Sequence, residues 1–562
     1  MSQIILRANL LAKDFPLASQ FQGNTVLFGS YDQKPSQTAD GKDNDAVPEA
    51  IYMQNVLPTT HGYKSIAYRT VIEALPSDAG NVKQIVSLRD SDEPNDRDRG
   101  YLVITDIART YLISTLTTRW IDVTPPNQPI CDITVATIGG WSYVMYSNWK
   151  LFIVDMDTNY LIEQVLTGLT VPITSIIGVA SSNNYMLMHD GFRVYWSNPL
   201  NALDFTPSLI TGAGSEIPST LSGLIRAIYP VSTGFAIYST VNIVISLFTG
   251  NTRYPWVFKE ANNSSGINYL TDVAPGGENG TNYAWTAGGL LQVSLSGCTQ
   301  ILPAVSDFIA QGTFNVWNPA VGLMMVDMHV DRKIVKLAFC GARYLLISHN
   351  QKVSSNYCSW VIVYDTALKR FGRLLASHNS IIEFSMDFSG SEVPYNDKSL
   401  TTYNDPAYIG LSYSSLKRLS NDAAVPGHSI AVVQSDGSVK LVMTDLIEPA
   451  YTAEDFSSTP LVILGKYQLA RNQVTTLQEV DLECTSSATG DFKVMHGISI
   501  DGNKSPAYTE LTPNPNTEPS FLSGALNRTY ACRRTGLTHL IAISGSFNLV
   551  SMLLRFSKAG RR

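Results

Sequence analysis

Charge is scarce in this sequence, and helical periodicity is scarcer. Only 15% of the 562 residues are Asp, Glu, Lys or Arg, against 44% hydrophobic residues with abundant Tyr (27) and Phe (20). That balance excludes a disordered chain and favours packed sheets. Surplus positive charge is missing too: the formal net charge is -7, which excludes a general nucleic-acid-coating protein, because displacing counterions takes an excess of Lys and Arg. The six cysteines (Cys131, Cys298, Cys340, Cys358, Cys484 and Cys532) lie far apart with no C-x-x-C. Neither a zinc ribbon nor a small disulfide framework follows, and reduced, buried thiols are expected. Long apolar runs are absent: the most apolar region, Gly223 to Gly250, is broken by Arg226, Pro230, Gly234 and Asn242. Its Ile/Val/Tyr/Thr content predicts two strands, not a span of ~20 apolar residues. The N-terminal MSQIILRANLLAKDF has Arg7 inside its apolar stretch and no small-residue cleavage site, so it does not read as a signal peptide, and maturation in a cytoplasm is expected.

Catalytic signatures are equally hard to find. There is no G-x-S-x-G, no Walker A loop and no H-E-x-x-H. No Asp box, WD40 or kelch signature recurs at a blade-length period. Asp155, Asp157 and Asn159 resemble the start of a calcium loop, but Tyr160 stands where a glycine must make the sharp turn. Asp327, His329 and Asp331 share one face of an expected strand, a spacing that suits metal ligation or proton transfer but suits a hydrogen-bonded strand histidine better. The acidic loop Asp90 to Asp98 carries Arg97 as an offset, with Arg99 beside it, and Pro94 fits an exposed turn. No catalytic residue, cofactor or metal ligand is assigned, and no enzymatic activity is expected.

What the chain does have is a unit that returns about seven times: a β-rich strand, a tight polar turn, a second strand carrying an aromatic, then a loop. It is clearest in Gly139 to Glu163 and Asn183 to Phe205, and it returns at Gly234 to Gly250, Asn282 to Leu302, Lys336 to Phe371 and Ile430 to Met443. A looser copy runs from Gly100 to Val123. Over most of this stretch the starts fall roughly 45 to 60 residues apart, the period of four-stranded blades set around an axis. Tyr143 and Met145, with the opposite-facing Val144 and Tyr146, predict strands buried on both faces, as stacked blades require. The expected fold is all-β: a propeller of six or seven blades over residues 76–455, followed by a smaller C-terminal β-sandwich over 456–562. Residues 1–75 are expected to form an arm, whose Ser30 to Pro48 stretch is too polar to pack, and whose first strands are candidates to complete the sandwich.

Local charge departs from the total. From Phe521 onward there is no Asp or Glu, yet Arg528, Arg533, Arg534, Arg555, Lys558, Arg561 and Arg562 fall there. Arg533, Arg534, Arg555, Arg561 and Arg562 are candidate docking residues for an acidic partner, since the guanidinium fork holds two carboxylate oxygens at once.

Three segments, in order and spacing, resemble the β-propeller nozzle proteins (tail tubular or DNA-stabilisation proteins) of short-tailed bacteriophages. They are Gln54-Asn55-Val56-Leu57-Pro58 with Gly62-Tyr63, then Phe192 to Pro199 with Phe205, then Thr538 to Gly545 with the terminal Leu553 to Arg562. The resemblance implies a non-enzymatic virion protein, assembled in a host cytoplasm and placed at the distal end of a short tail. It implies a ring, with six copies expected, that retains packaged DNA and forms part of its exit channel. The adjoining tail adaptor protein, tail fibres and the genomic DNA in the lumen are the implied partners, with no membrane insertion. Two other classes compete. A carbohydrate-binding or carbohydrate-cleaving propeller would use Trp141, Trp149 and Trp196 as sugar platforms instead of blade core; a cellular interaction scaffold would explain the propeller but not the arm or tail.

Overall fold

The computed structural model describes residues 3–8, 44–46, 50–59, 62–89, 99–114, 119–155, 158–276 and 280–303. Between 305 and 384 it describes all but short connecting stretches, and then 429–443, 459–467, 474–484, 492–499, 507–513, 520–522 and 525–558. Among these residues nearly all regular structure is strand, with two short 3-10 turns at Ile173–Ser175 and Leu270–Asp272 and α-helical residues at Pro303, Val305, Ser306 and Ile309.

Seven four-stranded antiparallel units follow one another, and they are the blades of a β-propeller. Blade 1 starts at Val82–Arg89, blade 2 at Ile133–Ile138, blade 3 at Gly178–Ser182, blade 4 at Ile225–Val231, blade 5 at Val273–Ala274, blade 6 at Val335–Cys340 and blade 7 at Ser380–Phe384. Each of the seven sequence units falls within one blade, six of them on its later strands and Lys336 to Phe371 from its first strand on. In Trp141–Tyr146 every residue after the first is buried. Val144 and Tyr146 pack toward blade 1, while Tyr143 and Met145 pack toward blade 3, so the absence of an inside-outside alternation follows from burial on both faces.

The ring closes through the N-terminal region. Blade 7 takes only three strands from its own stretch of chain; its fourth and outermost is Ala67–Ile72, paired antiparallel with Val439–Met443 so that Ala67 lies opposite Met443. The boundary expected at residue 75 is therefore corrected: this strand belongs to the propeller and not to the arm. The reason is that a ring assembled from a linear chain leaves one blade short of an edge, and a distant strand satisfies its unpaired backbone groups. Between blades 7 and 1, Phe384 stacks on Tyr101 (ring centroids 5.8 Å apart), and the Tyr101 hydroxyl donates to the Glu383 carbonyl at 2.8 Å.

Below blade 6 lies a two-sheet platform. Its first sheet orders Ala50–Gln54, Leu461–Tyr467, Thr538–Gly545, Phe492–Ser499 and Ala507–Glu510. The second contains Val56–Pro58, Tyr63–Ser65, Asn548–Lys558, Thr475–Cys484, Ala525–Gly536 and Ser520–Leu522, with Gln3–Ala8 paired along Asn548–Lys558. Their facing sides share a core in which Val462, Ile541 and Ile543 meet Val480, Leu554 and Phe556. The expected C-terminal sandwich is thus built from both ends of the chain.

The second sheet runs on into blade 6 through Arg373, paired with Val56. Gly372 makes this junction possible: a Cβ there would sit 2.6 Å from the Val56 carbonyl oxygen and 2.9 Å from Pro58 Cδ. Asn55, at the turn between the two platform sheets, adopts a left-handed φ of 51° and is buried. Its side-chain oxygen accepts from the Leu375 amide of blade 6 at 2.8 Å and from the Tyr68 hydroxyl of blade 7 at 3.0 Å. One side chain therefore ties platform, blade 6 and closing strand together.

Candidate docking surface

The candidate arginines are positioned by the pairing of Ala525–Gly536 and Asn548–Lys558 with the strand between them, Thr475–Cys484. The pairing slips between Leu477, opposite Arg534, and Glu479, opposite Ala531, so that Cys532 and Arg533 together face the single Gln478 in a bulge of one extra residue. Arg533 has φ 52° and its side chain is exposed, as expected where a bulge re-aims a side chain away from the ladder. Arg534 is half-buried and donates from Nη1 to the His496 carbonyl at 3.3 Å. Arg528 lies over the Phe492 ring, 5.3 Å from its centroid.

Arg555 departs from the expectation. Antiparallel register sets it opposite Glu479, and its guanidinium bridges Glu479 Oε2 (2.9 Å) and Asp481 Oδ2 (3.2 Å). It is committed within the chain, although half-exposed pairs of this kind contribute only about 0–1 kcal/mol each. Arg561 and Arg562 lie outside the described residues. The stretch without acidic residues is therefore partly answered by carboxylates from a strand some 75 residues earlier, and Arg533 is its most accessible described cation.

Beneath the bulge runs a buried chain of polar groups that the sequence reading did not single out. Cys532 Sγ is 3.0 Å from His496 Nδ1, His496 Nε2 is 3.0 Å from His539 Nδ1, and His539 Nε2 is 3.0 Å from Thr475 Oγ1. Burial lowers the His496 pKa to about 3, helped by the neighbouring His539 and Arg534, and lowers that of His539 to about 4. Burial raises the Cys532 thiol to about 11. A protonated thiol is not a nucleophile. His496 spends its two nitrogens in opposite directions, so the groups form a line and do not converge on one point as a metal cage requires. No cluster of His, Cys, Asp or Glu among the described residues is arranged to hold a metal ion. The two histidines are 43 residues apart and meet only because their strands are neighbours.

A second buried pair has the atoms of a nucleophile and base without access. His378 Nδ1 lies 2.6 Å from the Ala376 carbonyl and must donate to it, so Nε2 accepts from Ser348 Oγ at 3.0 Å. Ser348 and His378 are each only 1% exposed, leaving no room for a substrate. Of the three tryptophans weighed as sugar platforms, Trp196 is buried with Nε1 donating to the Gly212 carbonyl at 2.7 Å. Trp149 packs edge-on to Tyr146 and is tilted against Phe152, and Trp141 stands exposed. Asp155 accepts from the Thr158 amide at 3.1 Å within a hairpin turn. Asp157, His329, Asp331 and the loop from Asp90 to Asp98 lie outside the described residues, as does the side chain of Asp327.

Fold and surface together define a seven-bladed β-propeller with a two-sheet platform, joined by one continuous sheet at blade 6. No family model and no curated protein matches the sequence. Among solved structures it is similar to a chain described as YCF48 bound to D1 peptide, at 8% identity and a TM-score of 0.40, covering 71% of this chain and 99% of that one. It is also similar to the WD40 β-propeller domain of Doa1, at 9% identity and a TM-score of 0.36, covering 67% and 98%. At this distance neither likeness bears on function.

Proposed function

We propose that the protein is a structural component of a short phage tail: a ring of identical chains that forms the distal nozzle, retains packaged DNA and lines part of its ejection channel. The observation that carries the reading is the platform. The first of the three resembling segments, Gln54 to Pro58, sits at the junction of platform and blade 6, and the third supplies two platform strands, so both belong to one structural unit. A rigid sheet linking a closed propeller to a base suits a part that transmits load along a tail. Charge supports it as well: a net -7 favours a lumen that confines DNA without gripping phosphates.

Arg533 and Arg534 stand on the platform, and together with Arg561 and Arg562 they are expected to dock the ring onto the adjoining tail adaptor. Replacing Arg533, Arg534, Arg561 and Arg562 by Ser is expected to leave the protein folded while impairing its incorporation into particles, or making incorporation markedly more salt-sensitive. Labelled antibody should mark wild-type particles at the tail tip only. Uniform labelling of particles, or release of saccharide from a host surface polysaccharide by the purified protein, would overturn the reading.

A further inference from the structure

One hairpin stands apart from every blade and from the platform. Between the last strand of blade 5, Gly297–Gln300, and the first of blade 6, Val335–Cys340, the chain makes two further strands, Thr313–Asn318 and Gly322–Asp327. They pair antiparallel with each other, and no third described strand joins either edge. No other described strand makes more than marginal contact with them. A two-stranded hairpin on its own is marginal in water and needs something to lie against.

Sequence and register give the chemistry of that surface. From Phe308 to Val326 there is no Asp, Glu, Lys, Arg or His. Phe314 lies opposite Val326 and Val316 opposite Met324 on one face; Asn315 lies opposite Met325 and Trp317 opposite Leu323 on the other. The end away from the turn closes on Thr313 and Asp327, and Asp327 is the only charged residue of the two strands. A hairpin that lies flat on a protein is apolar on one face and polar on the other along its whole length. Here the contrast runs lengthwise instead. Near the turn, Val316 with Met324 and Trp317 with Leu323 make both faces large and apolar, while Thr313, Asn315 and Asp327 fall in the opposite half. Asn318, paired with Gly322 at the turn itself, is the one polar residue of the turn half.

Polarity graded along the axis fits a medium that is itself layered, apolar beneath a polar surface. We propose that the turn half of this hairpin docks at the headgroup boundary of a lipid bilayer. Tryptophan is the residue type that settles at that boundary, with its ring in the apolar layer and its N–H toward water. The strands have six residues each, short of the ~9–11 needed to cross, and sheet edges without a partner strand do not enter hydrocarbon. The contact is therefore interfacial, roughly 5–10 Å deep. At ~3.4 Å per residue that depth takes in the pairs from Asn318 with Gly322 back to Val316 with Met324. An interfacial contact also respects the absence of membrane insertion that the nozzle resemblance implies. Because the turn half carries no charge, binding should be indifferent to salt and to lipid charge. The inference goes beyond the tail reading and does not depend on the ring; on a tail tip, the hairpin would meet the host envelope.

The test is flotation of the full-length protein with phosphatidylcholine vesicles, with and without added phosphatidylglycerol, alongside native mass and thermal unfolding. Wild type is compared with a Trp317→Ser/Leu323→Ser double variant and with Asn318→Asp. The second variant keeps side-chain size and turn chemistry and adds one charge at the turn, so it decides the matter if the double variant unfolds. Wild type should float with both kinds of vesicle and stay bound as salt is raised. Each variant should lower the vesicle-bound fraction by about tenfold or more, with unfolding unchanged. A wild type that fails to float, floats only with phosphatidylglycerol, or is released by salt would overturn the proposal. So would variants that float as well as the wild type. Variants with altered native mass, beside a wild type that ignores vesicles, would give the hairpin to a protein contact instead.

Discussion

Replacing Asn55 by alanine should lower the stability of the whole chain by about 2–5 kcal/mol. The left-handed backbone at this position costs an alanine roughly 1–2 kcal/mol. Loss of the side-chain oxygen strands the buried Tyr68 hydroxyl, which costs about 1–3 kcal/mol, and removes the acceptor of the half-buried Leu375 amide. Because the residue joins three units, unfolding should remain one cooperative transition shifted to lower denaturant. Asn55→Gly separates the two causes, since glycine accepts the φ but offers no acceptor; it should recover the strain and nothing else. Chemical denaturation checks both. If Asn55→Ala moves the transition by less than about 1 kcal/mol, the junction does not hold platform and propeller together.

Stability should also fall steeply as the solution is acidified from pH 6.5 toward 4. Four buried histidines have depressed pKa values: about 4 for His189, His378 and His539, and about 3 for His496. A lowered imidazole pKa means that the unfolded chain takes up the proton first. The contribution is therefore complete above about pH 6.5, declines as pH drops, and is exhausted once the folded-state pKa is reached. Each histidine commits on the order of 3 kcal/mol over that window, less than additively for the hydrogen-bonded pair His496 and His539. Denaturation midpoints at half-unit pH steps measure the slope. His539→Gln should flatten it while weakening the protein at pH 7, because the contacts to His496 and Thr475 are lost. Midpoints that do not change between pH 6.5 and 4.5 would contradict the buried, neutral state of these rings.

The blades were legible because their middle strands are dense apolar runs, such as Tyr143 to Tyr146 and Tyr185 to Met188, separated by tight turns. Their innermost strands were not: in Ile133–Ile138 only Ile133 and Ala136 are buried, and the apolar content is too diluted to stand out. Closure of blade 7 by Ala67–Ile72 was hidden for a different reason. Strand pairing between residues some 370 positions apart leaves no local trace, so the boundary fell at 75. The docking arginines show the same limit. Composition finds the absence of acid after Phe521, but only register reveals that Glu479 and Asp481 stand against Arg555 while the bulge at Arg533 faces solvent. The line from Cys532 to Thr475 likewise exists only after three distant segments have been brought together.

The proposed nozzle role requires this propeller to work as one member of a closed ring. Its most direct test is the mass of the purified full-length protein by native mass spectrometry or sedimentation, over a range of concentration and salt. A single discrete assembly several times the 61.5 kDa chain mass is the predicted result. A monomer of 61.5 kDa at every concentration, in particular one that binds saccharide, would contradict it.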